Sequence, residues 1–386
     1  MVYADNAATT KMSRTAIDAM LPYMETHYGN PSSLYRLGQE AAEALQSARE
    51  TVAACLGCTP REITFTSGGS EADNQALISA ARIGERKGKK HIISTAFEHH
   101  AILHTLKKLE KEGFEVELLP VGPIGTVTAQ QVADAIRPDT CLVTTMYANN
   151  EIGSILPIAE IGAVCQEKGV LFHTDAVQAA GKLPIDLAKM PVDFLALSGH
   201  KLHAPKGIGV LYVRKGTRFI PFLRGGHQER GRRAGTENAP YIVGLGAACE
   251  LAMNHMTDEN TRVPALRDKL EKGLLAAIPD AIVNGDVENR LPNTSNIAFQ
   301  YVEGEAILLL MDQLGICASS GSACPSGRLE PSHVLRAMGV PFTFAHGSIR
   351  FSLSRYTTDT EIDYVLENLP PIIEQLRAIS PFRAMK

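Results

Sequence analysis

The stretch Phe194-Leu-Ala-Leu-Ser198-Gly-His-Lys201-Leu-His203 places a lysine directly after a short apolar run. The run Phe194–Ser198 is predicted to form a buried strand, and the small polar turn after it holds Lys201 between two histidines. Burial lowers the pKa of a lysine and frees its amine as a nucleophile, which can form Schiff bases with carbonyl compounds. On these residues alone, an ordinary strand-end lysine that reaches for water remains the alternative.

Short apolar runs of this kind alternate with longer amphipathic segments as far as residue 213. Strands separated by helices imply βαβ units, so we expect an α/β fold with a mostly parallel sheet. The seven candidate strands span residues 62–66, 91–95, 115–119, 141–146, 170–173, 194–198 and 209–213. The candidate helices among them span residues 38–54, 71–86, 99–112, 128–136 and 158–167. The short loop before residues 209–213 allows that strand to run antiparallel to its predecessor.

The pattern changes after about residue 256, where a predicted helix at 262–277 is followed by looser strands and helices. The strands include residues 295–300 and 348–353. We expect a large domain over residues 13–257 and a smaller α+β domain over residues 258–386, which residues 1–12 join.

Composition narrows the classes of protein that this chain can represent. Its hydrophobic content of 45% and charged content of 21% are typical of a soluble globular protein. The formal net charge of −4 provides no basic surplus for nucleic acid or for an anionic membrane. There is no apolar run of about 18 residues, and the first residues lack the basic and apolar regions of a signal peptide. Seven cysteines, an odd number, favour reduced thiols. We therefore expect a cytoplasmic protein with no nucleic-acid or membrane partner.

Polar groups follow several of the predicted strands. Thr66-Ser-Gly-Gly-Ser70-Glu71 leads from a strand into a helix, where free N–H groups bind phosphate, although a plain helix cap is the alternative. Asp175 follows another strand at the edge where ligands bind in parallel sheets, although a loop aspartate is the alternative. A carboxylate there suits the pyridine nitrogen of pyridoxal phosphate (PLP). Together with 98–100, 149–151 and the Lys201 turn, these segments predict one site at one sheet edge.

Two further segments point to chemistry. Ala318-Ser-Ser-Gly-Ser-Ala-Cys324-Pro-Ser-Gly327 is small and polar, so its cysteine is expected to be exposed and suited to act as a nucleophile. Arg350, in the strand-like pattern Gly347-Ser-Ile-Arg350-Phe-Ser-Leu-Ser-Arg355, can grip a carboxylate through two N–H groups. A surface ion pair is the alternative for Arg350.

These segments resemble the cysteine desulfurases of the NifS/IscS class, which are PLP enzymes of fold type I with an aspartate-aminotransferase-like architecture. The matching pieces lie at 3–10, 29–33, 66–74, 98–99, 149–151, 173–178, 198–201, 235–238, 319–324 and 348–353. Residues 227–238 and 201–207 are more similar to the NifS branch than to the housekeeping branch. The resemblance implies a seven-stranded sheet in the large domain and a homodimer.

The resemblance also implies a role for each site residue. Lys201 would bind the cofactor aldehyde, His99 would stack on the ring, and Cys324 would take the sulfur, which makes these three the expected catalytic residues. The expected cofactor-binding residues are Lys201, Asp175, Gln178, Asn150, Gly69, Ser70, Ser198, His200, His99 and, from the second subunit, Thr236. The substrate carboxylate would bind to Arg350 and Asn150.

The implied reaction converts L-cysteine to L-alanine and leaves a persulfide on Cys324, whose sulfur a NifU- or IscU-type scaffold would accept for iron–sulfur cluster assembly. The chain departs from the family pattern at Pro325, Gly69 and His100. Pro325 stiffens the backbone beside the expected nucleophile, which bears on how far that segment reaches.

Four other functions remain compatible with parts of the sequence. A selenocysteine lyase or an aminotransferase would share the cofactor, but an aminotransferase has no need for an exposed cysteine in such a segment. A zinc protein would use His99, His100, His104, His200 and His203, although no cysteine pair supports that reading and we expect no metal. A non-catalytic interaction protein would leave the converging polar groups unexplained.

Overall fold

The computed structural model describes residues 1–320 and 331–380 of the 386-residue chain. The strands in these residues are β1 (Val2–Tyr3), β2 (Ile63–Thr66), β3 (His91–Thr95), β4 (Glu115–Leu119), β5 (Thr140–Met146), β6 (Leu171–Asp175), β7 (Phe194–Ser198), β8 (Gly209–Val213), β9 (Ala281–Asn284), β10 (Thr294–Phe299), β11 (Ile316–Cys317) and β12 (Ser348–Ser352). The helices are α1 (Arg14–Glu25), α2 (Arg36–Leu56), α3 (Gly69–Glu85), α4 (His100–Lys111), α5 (Ala129–Ala135), α6 (Ile158–Lys168), α7 (Ala239–Asn254), α8 (Met256–Glu259), α9 (Arg262–Ala277), α10 (Gly304–Gln313), α11 (His333–Ala337), α12 (Phe342–Ala345) and α13 (Asp359–Ile379).

The largest sheet in the described residues has seven strands in the order β2-β8-β7-β6-β5-β3-β4. Strands β3 to β7 pair in parallel, whereas β8 runs antiparallel to both β7 and β2. This confirms the predicted α/β fold with a mostly parallel sheet. Every residue of β5 and of β7 is buried, because helices cover both faces of the sheet and the strands therefore read as short apolar runs.

Strand β7 shows how the two faces are filled. Phe194 and Ala196 pack into an apolar cluster with α3 and α4, whereas Leu195 and Leu197 pack into the larger cluster that includes residues of α2 and α7. The alternation follows from the period of two in a strand, which sends successive side chains to opposite faces. The sheet is thus the middle layer of three, and its strand ends are left at the margins of the packed core.

A second sheet, with the order β12-β10-β9, is antiparallel throughout the described residues. Its apolar face shares a separate cluster with α9 and α13, and Val2 and Ala4 belong to the same cluster. Strand β1 pairs in parallel with β11. The first residues of the chain therefore lie against its last third, and they continue from there toward the large sheet.

Among the helices of the described residues, none combines the length and the apolar character that a membrane-spanning segment requires.

Candidate active site

A cavity of about 330 Å³ lies at the carboxyl ends of the parallel strands. Its lining includes residues from each of the five segments that the sequence predicted to converge. The lining residues that were predicted are Gly69, Ser70, His99, Asn150, Asp175, Gln178, Ser198, His200, Lys201 and Arg350. The carboxyl ends of parallel strands meet at one edge, which brings together the residues from Gly69 to Lys201. Arg350 joins them from β12, 281 positions after Gly69.

Lys201 ends a single 3₁₀ turn, Gly199–Lys201, that directly follows β7. Its Nζ donates to the carbonyl oxygens of Ala7 at 2.5 Å and Ala8 at 2.7 Å. Burial lowers the pKa of Lys201 to about 7, and the positive charges of Arg350 and Lys182 act in the same direction. About half of the Lys201 side chains therefore carry a neutral, nucleophilic amine at neutral pH.

Asp175 is the last residue of β6, where it pairs with Met146 of β5. We predicted that this strand ends at His173, which is two residues too early, because polar residues here occupy buried strand positions. One carboxylate oxygen of Asp175 accepts from the N–H of Val177 at 2.9 Å. Burial raises its pKa, and the nearby His99 and Lys201 oppose that rise. A desolvated carboxyl of this kind strongly favours a cationic partner.

The N-terminus of α3 has a backbone suited to bind an anion, and we call it the anion cradle. Gly68, which precedes the helix, has a φ of 155°, a conformation that L side chains rarely adopt. A Cβ on Gly69 would lie 2.7 Å from Cγ2 of Val177, so a larger residue here would require the Val177 side chain to move. The helix is 17 residues long, and its N-terminal N–H groups and dipole favour a phosphate group.

His200 lies beside this cradle. Its Nδ1 is 3.1 Å from the hydroxyl of Thr9, and its carbonyl oxygen accepts from the N–H and hydroxyl groups of Thr10. Burial lowers the pKa of His200 to about 4, and Lys201 and Lys206 add to the effect. The ring is therefore neutral at physiological pH and can donate one hydrogen bond to an anion.

Gln178 follows β6 in the turn after Asp175. Its Nε2 donates to the carbonyl oxygen of Ala7 at 2.9 Å, which uses one of the two amide N–H groups. Its Oε1 is buried and has no hydrogen-bond partner among residues 1–320 and 331–380. Since buried polar atoms are normally paired, this side chain is suited to a polar ligand in the cavity.

His99 caps the N-terminus of α4, where its Nδ1 accepts from the N–H of Ala101 at 3.1 Å. Behind it, the ring of His100 stacks on those of His333 and His104, with centroid separations of 4.7 and 5.1 Å. Within the described part of the chain, no group of three or more His, Cys, Asp or Glu side chains is arranged to hold a metal ion.

One predicted residue of the described part of the chain lies outside this cavity. Thr236 is exposed and is not among the lining residues, as its expected contact comes from a second subunit. Cys324 lies outside the described residues. Thr236 follows a segment anchored by Glu229, whose buried carboxylate forms a bidentate ion pair with Arg49 at 2.7 and 2.8 Å.

Sequence reasoning missed several residues at this site. Ala7 and Ala8 line the cavity through their backbone, for which no side-chain signal exists. Asp73, on α3, lines it with a buried carboxyl whose pKa is raised well above its usual range by burial and by the charges of Asp175 and Glu98. A polar residue on the buried, alanine-rich face of a predicted helix was the signal that could have revealed Asp73.

Fold and cavity together define an α/β enzyme that presents a nucleophilic lysine and a buried carboxyl at the edge of a parallel sheet. A family model described as Aminotransferase class-V matches residues 2–365. This match covers all three sheets of the described residues and all the described residues of the cavity lining.

Curated relatives show which members of this family the chain is similar to. A cysteine desulfurase of a Nostoc species is 55% identical over 383 residues, which are 99% of this chain and 95% of the relative. The cysteine desulfurase NifS of Azotobacter vinelandii is 54% identical over 99% of this chain and 94% of the relative. A solved structure named as a NifS-like protein superposes with a TM-score of 0.91 at 39% identity, covering 97% of this chain and 100% of that one. The chain therefore belongs to the class-V aminotransferase family, with its fold type I architecture, and within it to the cysteine desulfurases.

Proposed function

We propose that this enzyme binds PLP in the cavity at the sheet edge, removes the sulfur of L-cysteine to leave L-alanine, and places that sulfur on Cys324. The observation that supports the proposal most strongly is the convergence of Lys201, Asp175 and the N-terminus of α3 on one cavity. These three features match the aldehyde, the pyridine nitrogen and the phosphate of one cofactor. The relatives' names add the substrate.

The described residues fit PLP in size and in chemistry. The cavity volume of about 330 Å³ lies within the range of small-molecule sites. The phosphate would be held by Gly69, Ser70, Ser198 and His200. Asp175 would face the pyridine nitrogen, and the phenolic oxygen of the ring would lie near Gln178 and Asn150. Bound PLP supplies an electron sink for the carbon that loses its proton. The amide N–H of Gln178 that its bond to Ala7 leaves over can donate to the phenolic oxygen, which supports this assignment.

The protein's own groups would handle the protons and the sulfur. The Lys201 amine, freed when the substrate amine takes its place, would move the proton on the substrate Cα. The Cys324 thiolate would attack the substrate sulfur, so that an S–S bond forms as the C–S bond breaks. The electron pair of the C–S bond stays on the carbon, which takes up a proton to become the methyl group of L-alanine. His99, beside Asp175, would stack on the ring and assist proton movement.

The pKa of Lys201 makes a direct prediction about its reactivity. Because its folded pKa is lowered to about 7, the neutral amine should predominate above pH 7. We expect the labelling rate of Lys201 by acetic anhydride in the cofactor-free protein to rise between pH 6 and 8 and then level off. Mass spectrometry of the Lys201 peptide measures this labelling rate, and the exposed Lys206 is the reference in the same sample. A Lys201 rate that kept rising to pH 10 would contradict the lowered pKa.

A product assay tests the proposed function. The PLP-loaded protein, given L-cysteine and a thiol reductant, should release sulfide and L-alanine in equal amounts. Pyruvate and ammonia as the main products would argue for an enzyme that eliminates sulfide from L-cysteine. A keto acid that retains the sulfur would argue for transamination. A much higher kcat/KM for L-selenocysteine would favour the selenocysteine lyase alternative. A protein that takes up no PLP at all would exclude the whole assignment.

We further propose a cytoplasmic homodimer, in which Thr236 reaches the phosphate site of the other subunit, and a NifU- or IscU-type scaffold as the sulfur acceptor. Two domains, over 13–257 and over 258–386 with 1–12, complete the proposal. Exposed apolar side chains support a dimer, since Leu34 is 94% exposed and Tyr28 is 72% exposed in the single chain. Their expected partner is a second copy.

A further inference from the structure

Asp5 lies next to the arginine that the proposed function assigns to the substrate carboxylate. One carboxylate oxygen of Asp5 accepts from Nη2 of Arg350 at 2.9 Å. The Arg350 side chain is 7% exposed and that of Asp5 is 20% exposed, so the pair is largely shielded from water. Neither sequence reasoning nor the family assignment had given Asp5 a role.

A second contact fixes the orientation of the guanidinium group. Nη1 of Arg350 donates to the carbonyl oxygen of Asn150 at 2.9 Å. Since Nη1 and Nη2 are held by partners on different segments, rotation of the planar group would break both bonds. The Nε–H of Arg350 is buried and has no acceptor in the described part of the chain. An arginine has five N–H donors, so donors remain available to a substrate carboxylate.

Asp5 is itself held firmly in place. It forms an isolated parallel bridge with Ser352 of β12. The N–H of Asn6 donates to the Ser352 carbonyl oxygen at 3.1 Å, and the N–H of Ala7 donates to the Ser352 hydroxyl at 2.8 Å. Because Ser352 and Arg350 are two residues apart on one strand, their side chains share a face. The backbone therefore sets the position of Asp5 relative to Arg350.

The same segment also reaches the lysine. Two and three residues after Asp5, the carbonyl oxygens of Ala7 and Ala8 accept from Nζ of Lys201. One short stretch of backbone thus touches both the arginine proposed to bind the substrate carboxylate and the lysine proposed to move the Cα proton. In an α-amino acid the carboxylate is bonded directly to Cα. The distance between the arginine that binds the carboxylate and the lysine that acts at Cα must therefore be well defined.

We propose that Asp5 is a positioning residue that orients Arg350 toward the carboxylate of the amino-acid substrate. This inference rests on the proposed function. The opposing possibility is that Asp5 competes with the substrate for Arg350. The geometry favours positioning, because Asp5 contacts the guanidinium through one oxygen and one nitrogen, and among the described residues the carbonyl oxygen of Asn150 accepts from just one further nitrogen.

Binding of L-alanine and of L-alanine methyl ester to the PLP-loaded protein tests the inference without relying on turnover. In Asp5→Ala, calorimetry should show the Kd of L-alanine raised about tenfold, the scale of a hydrogen bond to a charged group, and that of the ester unchanged. Asp5→Asn keeps an acceptor oxygen in place and should restore most of the affinity. Asp18→Ala, which removes an exposed carboxylate paired with Arg14, is the matched control.

Turnover gives a second measurement. If L-cysteine is desulfurated, Asp5→Ala should raise its KM about tenfold with kcat within about twofold of wild type. A lower Kd or KM in Asp5→Ala would show competition and overturn the inference. The inference would also be overturned if Asp5→Ala changed the Kd of L-alanine and the Kd of its methyl ester equally, or if the wild type did not bind L-alanine. Loss of wild-type sulfide release with L-alanine binding intact would count against the proposed function instead.

Discussion

Lys201→Ala is expected to abolish the visible absorbance of the bound cofactor and to lower sulfide release from L-cysteine by about 10³-fold or more. The reason is that, in the proposed function, one amine serves two purposes, as the covalent anchor of the cofactor and as the base at the substrate Cα. Its pKa of about 7 supports both, because the amine is available in neutral form where a lysine in water would be charged. Absorbance spectra after gel filtration and a sulfide assay measure the two effects.

The matched control for this variant is Lys206→Ala, which removes an exposed lysine from the same connection between β7 and β8. We expect its spectrum and its rate to match those of the wild type. Retention of the cofactor band in Lys201→Ala, or a rate within tenfold of wild type, would show that another amine performs this chemistry. Lys182 is the first candidate in that case, since it is buried and its pKa is lowered to about 8.

Cys324→Ala is expected to keep the cofactor absorbance of the wild type and to lose sulfide release by about 10³-fold or more. In the proposed function only the sulfur-accepting step needs the thiolate, whereas residues of the sheet edge would hold the cofactor. Incubation with L-cysteine should therefore still change the absorbance spectrum, because substrate binding and proton removal remain possible. A spectrum and a sulfide assay on the same sample separate the two steps.

Cys317→Ala is the control for this experiment. Cys317 is half-buried and pairs with Tyr3 through β11. Its loss tests whether sulfide release depends on a second cysteine close to Cys324 in the sequence. We expect Cys317→Ala to release sulfide at close to the wild-type rate. Wild-type turnover by Cys324→Ala would refute the assignment of the sulfur acceptor, and loss of cofactor in that variant would point to a structural role.

Local patterns predicted most of the large sheet. Strands β3, β4, β7 and β8 have the predicted bounds, because buried parallel strands read as short apolar runs between amphipathic helices. Strands β2 and β5 each begin one residue away from the predicted position. The largest error was at the end of β6, since Thr174 and Asp175 are polar yet occupy buried strand positions. Polarity misleads where a strand runs directly into a site, because there the buried groups serve a ligand rather than the core.

The site was predictable only as far as its side chains follow strands. Lys201, Asp175 and Asn150 stand within four residues of the end of an apolar run, so the rule that ligands bind at the carboxyl edge of a parallel sheet brought them together. Asp73 was missed because it lies within a helix rather than at its end. Ala7 and Ala8 were missed because they act through carbonyl oxygens, which every residue possesses.

The sequence by itself determined the order of strands and helices, the reactive residue types at the sheet edge and the family to which the chain belongs. These depend on local periodicity and on motifs of a few residues. Only the tertiary structure decided that Asp5 meets Arg350, 345 positions later, and that the segment after Asp5 meets Lys201. Such contacts arise because Val2 and Ala4 are buried in the apolar cluster of the last third of the chain, which carries their neighbours to the cavity. A local pattern records that a residue is apolar, but the surface against which it packs is settled by the whole fold.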